Sequence, residues 1–283
     1  MIVNNNKFKP GLYCVATPIG NMGDLSFRAV EILKKSDLIL CEDTRVSKKI
    51  FQKFEINKKV ISNHKFNENR NVEKVIEILK SKKIVSLVSD AGTPAVSDPG
   101  KILVNECVKN GIDIFPVPGA SAVSAAISIS GFSDNFYFCG FLPEKEKQIK
   151  ILFKNLSSFE CSIVFFISPN KFSKRIEDIK EFFFNREILI CREITKFHEE
   201  YIRTSVKELS NLNFSRKGEI TVVISEIKNE KLSFKQLQES DKKKINKLIK
   251  KKSIKDIVKI ISENNDVSKK LIYNYCLEVK NEN

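Results

Sequence analysis

Short apolar stretches punctuate the first 118 residues, separated by segments whose apolar positions repeat every three to four residues. The stretches at 12–16, 37–41, 59–62, 83–88 and 112–117 are aliphatic and β-branched and predict strands. Segments near 25–35, 45–53, 68–80 and 100–110 carry helical spacing. Such alternation predicts a mostly parallel sheet covered on both faces. From Gly119 onward the pattern changes. Strands are expected at 136–141, 162–167, 187–192, 201–205 and 219–225, and helices at 120–130, 145–156, 172–183 and 205–212. The tight spacing between 187 and 225 has hairpin character, so the second sheet is expected to be mixed. The run Phe182-Phe183-Phe184 is assigned to the core. After Glu226 apolar density falls, yet Ile245, Leu248, Ile249, Ile254, Ile257, Val258, Ile260 and Ile261 still keep helical spacing. The expected organisation is two α/β domains, 1–118 and 119–226, followed by a basic helical module, 227–283.

Three strands end in turns built from small residues. Leu12 to Ala16 runs into Thr17-Pro18-Ile19-Gly20-Asn21, and Ile84 to Val88 into Ser89-Asp90-Ala91-Gly92-Thr93-Pro94-Ala95-Val96-Ser97-Asp98-Pro99-Gly100. Ile112 to Val117 continues into Pro118-Gly119-Ala120-Ser121. In open α/β sheets the carboxyl ends of the strands are where ligands bind. Short side chains there let a flat ligand reach backbone N–H and C=O groups. None of the turns is a G-x-G-x-x-G or P-loop sequence, so neither a conventional dinucleotide site nor a P-loop is indicated. A local account also exists for the second turn, with Asp98 as N-cap and Pro99 as first residue of the next helix.

These turns belong to a longer ordered set. Ala16 to Asn21, Cys41-Glu42-Asp43-Thr44-Arg45, His64-Lys65-Phe66-Asn67-Glu68, Asp90 to Gly100 and Pro118-Gly119 are followed by Gly140-Phe141-Leu142-Pro143, Arg192-Glu193-Ile194-Thr195-Lys196 and Lys217-Gly218-Glu219. With Val267 to Lys270, Tyr273, Leu277 and Lys280 in the tail, the set spans essentially the whole chain. It resembles the ribosomal RNA small-subunit methyltransferase I family of the tetrapyrrole-methylase superfamily. The resemblance implies two α/β domains with S-adenosyl-L-methionine in the cleft between them. It also implies a homodimer, and 2'-O-methylation of a decoding-centre cytidine, cytidine 1402, in the 16S rRNA of the small ribosomal subunit. One segment departs from the family pattern F-Y-E-S-[PT]-H-R: this chain has Phe165-Phe166-Ile167-Ser168-Pro169-Asn170-Lys171. A carboxylate, an imidazole and a guanidinium are replaced, so any family role for the first two does not carry over.

Composition agrees with a polyanionic partner. The 283 residues carry a formal charge of +14, which favours nucleic acid or another anionic surface. Lysines outnumber arginines 41 to 8, a bias that drift toward A/T-rich codons also produces. Residues 227–283 hold 15 lysines against 8 acids, and the module is expected to grip phosphates. The seven cysteines lie singly, without C-x-x-C, and are expected as free thiols in a reducing compartment. With two histidines, a zinc site is not expected. The polar N-terminus and the lack of an 18-residue apolar run lead to the expectation of a soluble cytoplasmic protein, with no membrane partner.

The cofactor-binding candidates are Pro18, Asp90, Ala91, Gly92, Thr93, Pro118, Gly119, Ala120 and Ser121. The catalytic candidates are Asp43, Arg45, His64 and Asp98, and no metal is expected. Each has a plain structural alternative. Asp43 or Thr44 caps a helix, Arg45 braces it instead of clamping a phosphate, and His64 is structural instead of moving a proton. Glu193 and Lys196 are secondary candidates for the facing wall. Two other functions compete: a small-molecule, tetrapyrrole-directed methylase of the same superfamily, and a non-catalytic RNA-binding protein of ribosome assembly.

Overall fold

The computed structural model describes residues 8–213, 215–227, 237, 239–249, 251–264, 267 and 269–281. The chain forms two compact units, residues 1–227 and 228–283.

The first unit opens with a five-stranded sheet of order β3-β2-β4-β1-β5. Its strands are β1 (Gly11–Val15), β2 (Leu38–Cys41), β3 (Val60–Ser62), β4 (Ile84–Val88) and β5 (Ile114–Val117), and every neighbouring pair is parallel. Parallel pairing requires crossovers, here the helices α1 (Phe27–Lys35), α2 (Thr44–Lys53), α3 (Glu68–Lys80) and α4 (Lys101–Lys109). Because side chains alternate along a strand, each strand serves both faces. Tyr13, Val15, Ile39 and Cys41 pack beneath Ala29, Ile32 and Leu33 of α1 and Ile50 and Phe51 of α2. Leu12, Leu38, Leu40, Val85 and Leu87 pack against Val72, Val75, Ile76 and Leu79 of α3 and Leu103 and Cys107 of α4.

After β5 the chain forms α5 (Ala122–Ser128) and enters a second sheet, β6-β7-β10-β8-β9. Its strands are β6 (Phe136–Phe141), β7 (Ser162–Ile167), β8 (Glu187–Arg192), β9 (Glu200–Ser205) and β10 (Ile220–Ile224). Only β6 and β7 are parallel, so the sheet is mixed as expected. One face packs on α6 (Glu146–Leu156), α7 (Pro169–Ser173) and α8 (Ile176–Phe183) through Phe153, Phe165, Phe172 and Phe183. The other face meets Val123 and Ala126 of α5, with Ile19 of the β1–α1 turn packed against the same cluster. That contact joins the two sheets.

Three local expectations are corrected. The helix expected over 172–183 is two helices, because Ser168 caps a new start at Pro169 and the chain restarts after Arg175. The one expected over 205–212 is a 3-10 turn, Val206–Asn211. Of the phenylalanine run, Phe183 is core and Phe182 packs against it, but Phe184 is half exposed beneath the Lys207 ammonium.

The second unit contains α9 (Glu239–Leu248), α10 (Ile254–Asn264) and α11 (Lys269–Asn281). Ile245, Ile257, Ile261, Ile272 and Cys276 form its core, which places the helical spacing of the sequence on buried faces. No helix among the described residues is long and apolar enough to cross a membrane.

Candidate active site

The carboxyl edge of the first sheet and the second sheet enclose a cavity of about 580 Å³. Its first wall is the loop after β4. Gly92 exchanges backbone hydrogen bonds with Thr17, Thr17 N to Gly92 O at 2.9 Å and Gly92 N to Thr17 O at 3.0 Å. The Thr17 hydroxyl also donates to Ser89 O at 3.0 Å. These bonds tie the first small-residue turn to the second. Gly92 sits at φ +79°, and an added Cβ would lie 3.8 Å from Ala120 O, so the third turn is adjacent too. Farther along, Ala95 and Ser97 adopt φ of +64° and +69°. Left-handed backbone at two non-glycine residues is strain that the surrounding contacts must hold.

The local reading of Asp98 is corrected here. Helix α4 starts at Lys101, with Gly100 at its N-cap, φ +127°, and no side-chain cap from its own loop. The buried Glu68 carboxylate instead accepts from Ile102 N at 3.0 Å and Leu103 N at 3.1 Å. Asp98 is thereby freed to line the cavity with Asp90 and Glu42. Burial pushes the Asp98 carboxyl up to about 6, and Glu42 and Asp90 add to the rise. Burial also raises Asp90 and Glu42, and the Asp43 backbone N–H, donating to Asp90 Oδ1 at 2.9 Å, opposes the rise at Asp90. Three carboxyls crowd one wall, so the cavity favours a cationic guest.

The facing wall comes from the second sheet and includes the apolar side chains of Phe138, Phe166, Ile167 and Ile194. In the same wall Lys196 Nζ lies 2.9 Å from both Glu193 Oε1 and Glu219 Oε2. Burial works against the ammonium, but Glu219 and Glu193 outweigh it and hold its pKa above the usual lysine value. This β8–β9 turn packs on the β1–α1 turn. A Cβ on Gly20 would come within 2.5 Å of Lys196 Cγ, and Asn21 N donates to Thr195 Oγ1 at 3.1 Å. Glycine is required there by close approach of the two turns.

This architecture recurs in solved structures. Diphthine synthase superposes with a TM-score of 0.60 at 16% identity, covering 76% of this chain and 89% of that one. A Thermus thermophilus uroporphyrin-III C-methyl transferase complexed with S-adenosyl homocysteine gives 0.53 at 14% identity, covering 75% and 96%. At these identities the likeness is one of fold. Residues 11–210 match the tetrapyrrole (corrin/porphyrin) methylases. The Thermotoga maritima ribosomal RNA small subunit methyltransferase I is 42% identical over 218 residues, 76% of this chain and 97% of the relative. The enzyme of that name from Neisseria meningitidis serogroup A is 35% identical over 276 residues, 95% and 94% of the two chains. The chain belongs to the ribosomal RNA small subunit methyltransferase I family.

In this family member, Asp90, Ala91, Gly92, Thr93, Ser121 and Asp98 line the cavity. Pro18, Pro118, Gly119 and Ala120 lie in the flanking turns, outside the lining; a Cβ on Gly119 would lie 3.0 Å from Ala16 Cβ. Asp43 caps α2, accepting from Arg45 N at 2.8 Å, and its carboxylate pairs with the exposed Arg45 guanidinium at 2.6 Å. His64 stands outside the lining, in a turn whose Phe66 N donates to its Nδ1 at 3.3 Å. Of the departing segment, Ile167 and Ser168 line the cavity, whereas Lys171 pairs with Glu144 on the surface. Glu42, at the carboxyl edge of β2, and the facing-wall candidates Glu193 and Lys196 also line the cavity, together with Phe138 and Thr221, which carry no signal in the sequence. No cluster of His, Cys, Asp or Glu suited to a metal ion occurs among the described residues.

Proposed function

We propose that this chain transfers a methyl group from S-adenosyl-L-methionine to the ribose 2'-oxygen of cytidine 1402 in 16S rRNA. The observation that carries the reading is a carboxylate-walled cavity at the strand ends, in a chain of this family. The residues present fit the cofactor. The volume lies within the usual 300–1,000 Å³ of small-molecule sites, three carboxyls suit a sulfonium cation, and the apolar wall suits an adenine ring. Ala91, Gly92, Thr93 and Ser121 would hold it, offering backbone groups unobstructed by large side chains. When bound, it supplies a methyl group activated by its positively charged sulfur.

The chain contributes positioning and proton handling. Positioning alone removes several kcal/mol of an encounter's barrier, on the order of 7–11 for ideal alignment. A ribose hydroxyl is a weak nucleophile, and a nearby base strengthens it. Asp98, held at about 6, is ionised at neutral pH and accepts a proton more readily than an ordinary aspartate. It is the group best suited to receive the hydroxyl proton at its carboxylate.

The relatives' names favour an RNA over a tetrapyrrole substrate. The deciding experiment supplies isotopically methyl-labelled cofactor with small ribosomal subunits, or with naked 16S rRNA, and maps the label. Label on the 2'-oxygen of cytidine 1402 is expected. Label confined to a base, or absent from rRNA but present on a tetrapyrrole, would overturn the reading.

A further inference from the structure

Phe66 and Phe197 stand almost wholly in solvent, 93% and 96% exposed, although large aromatic side chains normally gain from burial. Both occupy turns beside the cavity, one from each sheet. Phe66 lies between β3 and α3, just past Ser62, whose hydroxyl donates to the backbone carbonyl of the cavity-lining Glu42 at 3.2 Å. Phe197 directly follows Lys196, which lines the cavity.

The two turns share one chemistry. His64-Lys65-Phe66 and Lys196-Phe197-His198 each combine a phenyl ring, an imidazole and an ammonium. In each the phenyl stands edge-on to the imidazole, with centroids 6.1 Å and 5.0 Å apart. Both turns are braced from within. Asn67 Oδ1 accepts from His64 N at 2.7 Å and Asn67 Nδ2 donates to Ser62 O at 3.0 Å. On the other side Thr195 N donates to Glu199 Oε1 at 2.7 Å, and Lys196 N to Glu193 O at 2.9 Å. The backbone therefore displays each ring on a supported turn.

We propose that Phe66 and Phe197 are stacking platforms for unpaired bases of the RNA substrate, one on each side of the cavity mouth. An exposed aromatic face beside a cation is the chemistry that holds a single-stranded base and its phosphate. The net charge of +14 supplies the matching long-range attraction. A second protein copy fits less well, because the residues flanking each ring, His64, Lys65 and Asn67 on one side and Lys196, His198 and Glu199 on the other, are polar or charged. The assignment rests on the rRNA reading and adds to it the residues that grip the strand. Phe27 is a built-in contrast. It is 97% exposed, but it opens helix α1 with no histidine beside it, and its neighbour Arg28 donates to the Pro116 carbonyl.

The test uses the full chain carrying Phe66→Leu, Phe197→Leu, the double change, and Phe27→Leu as the contrast. Leucine keeps the apolar bulk and removes the aromatic face. Each of the first two is expected to raise the KM for ribosomal RNA about five- to a hundredfold. Cofactor affinity, melting temperature and oligomeric state are expected to stay at wild-type values, and Phe66→Tyr or Phe197→Trp to restore the KM. An unchanged KM in both leucine variants overturns the proposal. So does an equal loss in Phe27→Leu, or a loss that follows a change in oligomeric state, which would assign the rings to a second copy. If the wild type methylates no rRNA, the parent reading falls by itself. Affinity for a single-stranded RNA oligonucleotide then decides the platforms, and equal Kd for wild type and double variant overturns them.

Discussion

At Asp98 the proton-accepting role proposed above comes with a stability cost. Its carboxyl ordinarily titrates near 3.8 but is raised to about 6 in the fold, first by burial and then by Glu42 and Asp90. A folded-state pKa raised above the unfolded value means that ionisation opposes folding. The penalty is absent below pH 4, grows between pH 4 and 6, and is complete above. Asp98→Asn should therefore raise the melting temperature at pH 8, with the gain vanishing near pH 4. After discounting for partial solvent exposure the gain is on the order of 1–2 kcal/mol. The wild type should bind the cationic cofactor more tightly as pH climbs through 6, and the same variant should bind it more weakly and lose that rise; titration calorimetry across that range checks both. Arg45 is a different case, fully in solvent and paired with Asp43, whose carboxyl it pulls down to about 2. Exposed pairs contribute little to stability. Arg45→Ala should leave the melting temperature essentially unchanged and cofactor affinity within a few-fold. Methyl transfer to ribosomal subunits should fall. A melting-temperature drop that accounts for the whole activity loss would instead make the pair a brace for the start of α2.

At the scale of elements, α4 explains why part of the site was legible in the sequence and part was not. The strands β1 to β5 begin and end within two residues of the apolar runs that predict them, because buried parallel strands leave an unmistakable continuous pattern. The loop Asp90 to Gly100 was recognisable by its small residues and its position. Its capping was not. Asp98-Pro99 has the local form of a helix start, yet the cap comes from Glu68, 34 residues earlier, by a contact that only tertiary packing creates. The facing wall was legible at Glu193 and Lys196, and the rest of it was hidden for a similar reason. Phe138, Phe166 and Thr221 are ordinary strand residues until the second sheet is placed against the first. Glu68 offers a direct test of how α4 holds the loop. Glu68→Ala leaves two backbone N–H groups without acceptors inside the protein, at a cost of about 1–3 kcal/mol. Glu68→Gln retains a carbonyl oxygen and should recover most of that loss in chemical denaturation. Because Asp98 and Gly92 ride on the same loop, the alanine variant should also bind cofactor more weakly.

At the scale of the whole molecule, charge is distributed unevenly. Residues 227–283 carry 15 lysines and 8 acids, so a fifth of the chain supplies about half of the +14. The helices of the second unit hold their isoleucines in a core of their own, and the first unit is compact with its own sheets. Removal of everything after Ile227 should therefore leave the first unit folded and its cofactor affinity nearly intact. Two accounts of the lysines then make opposite predictions. If they solvate a small bundle, the truncated and full-length proteins will share one salt dependence of RNA binding. If they contact phosphates, each lost contact removes a released counterion, and the slope of log affinity against log salt shrinks by about 0.7 for single-stranded or 0.9 for duplex contacts. A grip of a few phosphates would thus lower the slope by two or more, and weaken binding most at low salt. We expect the second outcome, because the substrate is a polyanion and the cavity itself is walled by carboxylates that repel it. A cavity walled by acids leaves the attraction for RNA to be placed elsewhere on the chain. RNA-binding titrations of the two proteins at four or five salt concentrations decide it, and coincident slopes would reduce the tail to a solubilising appendage.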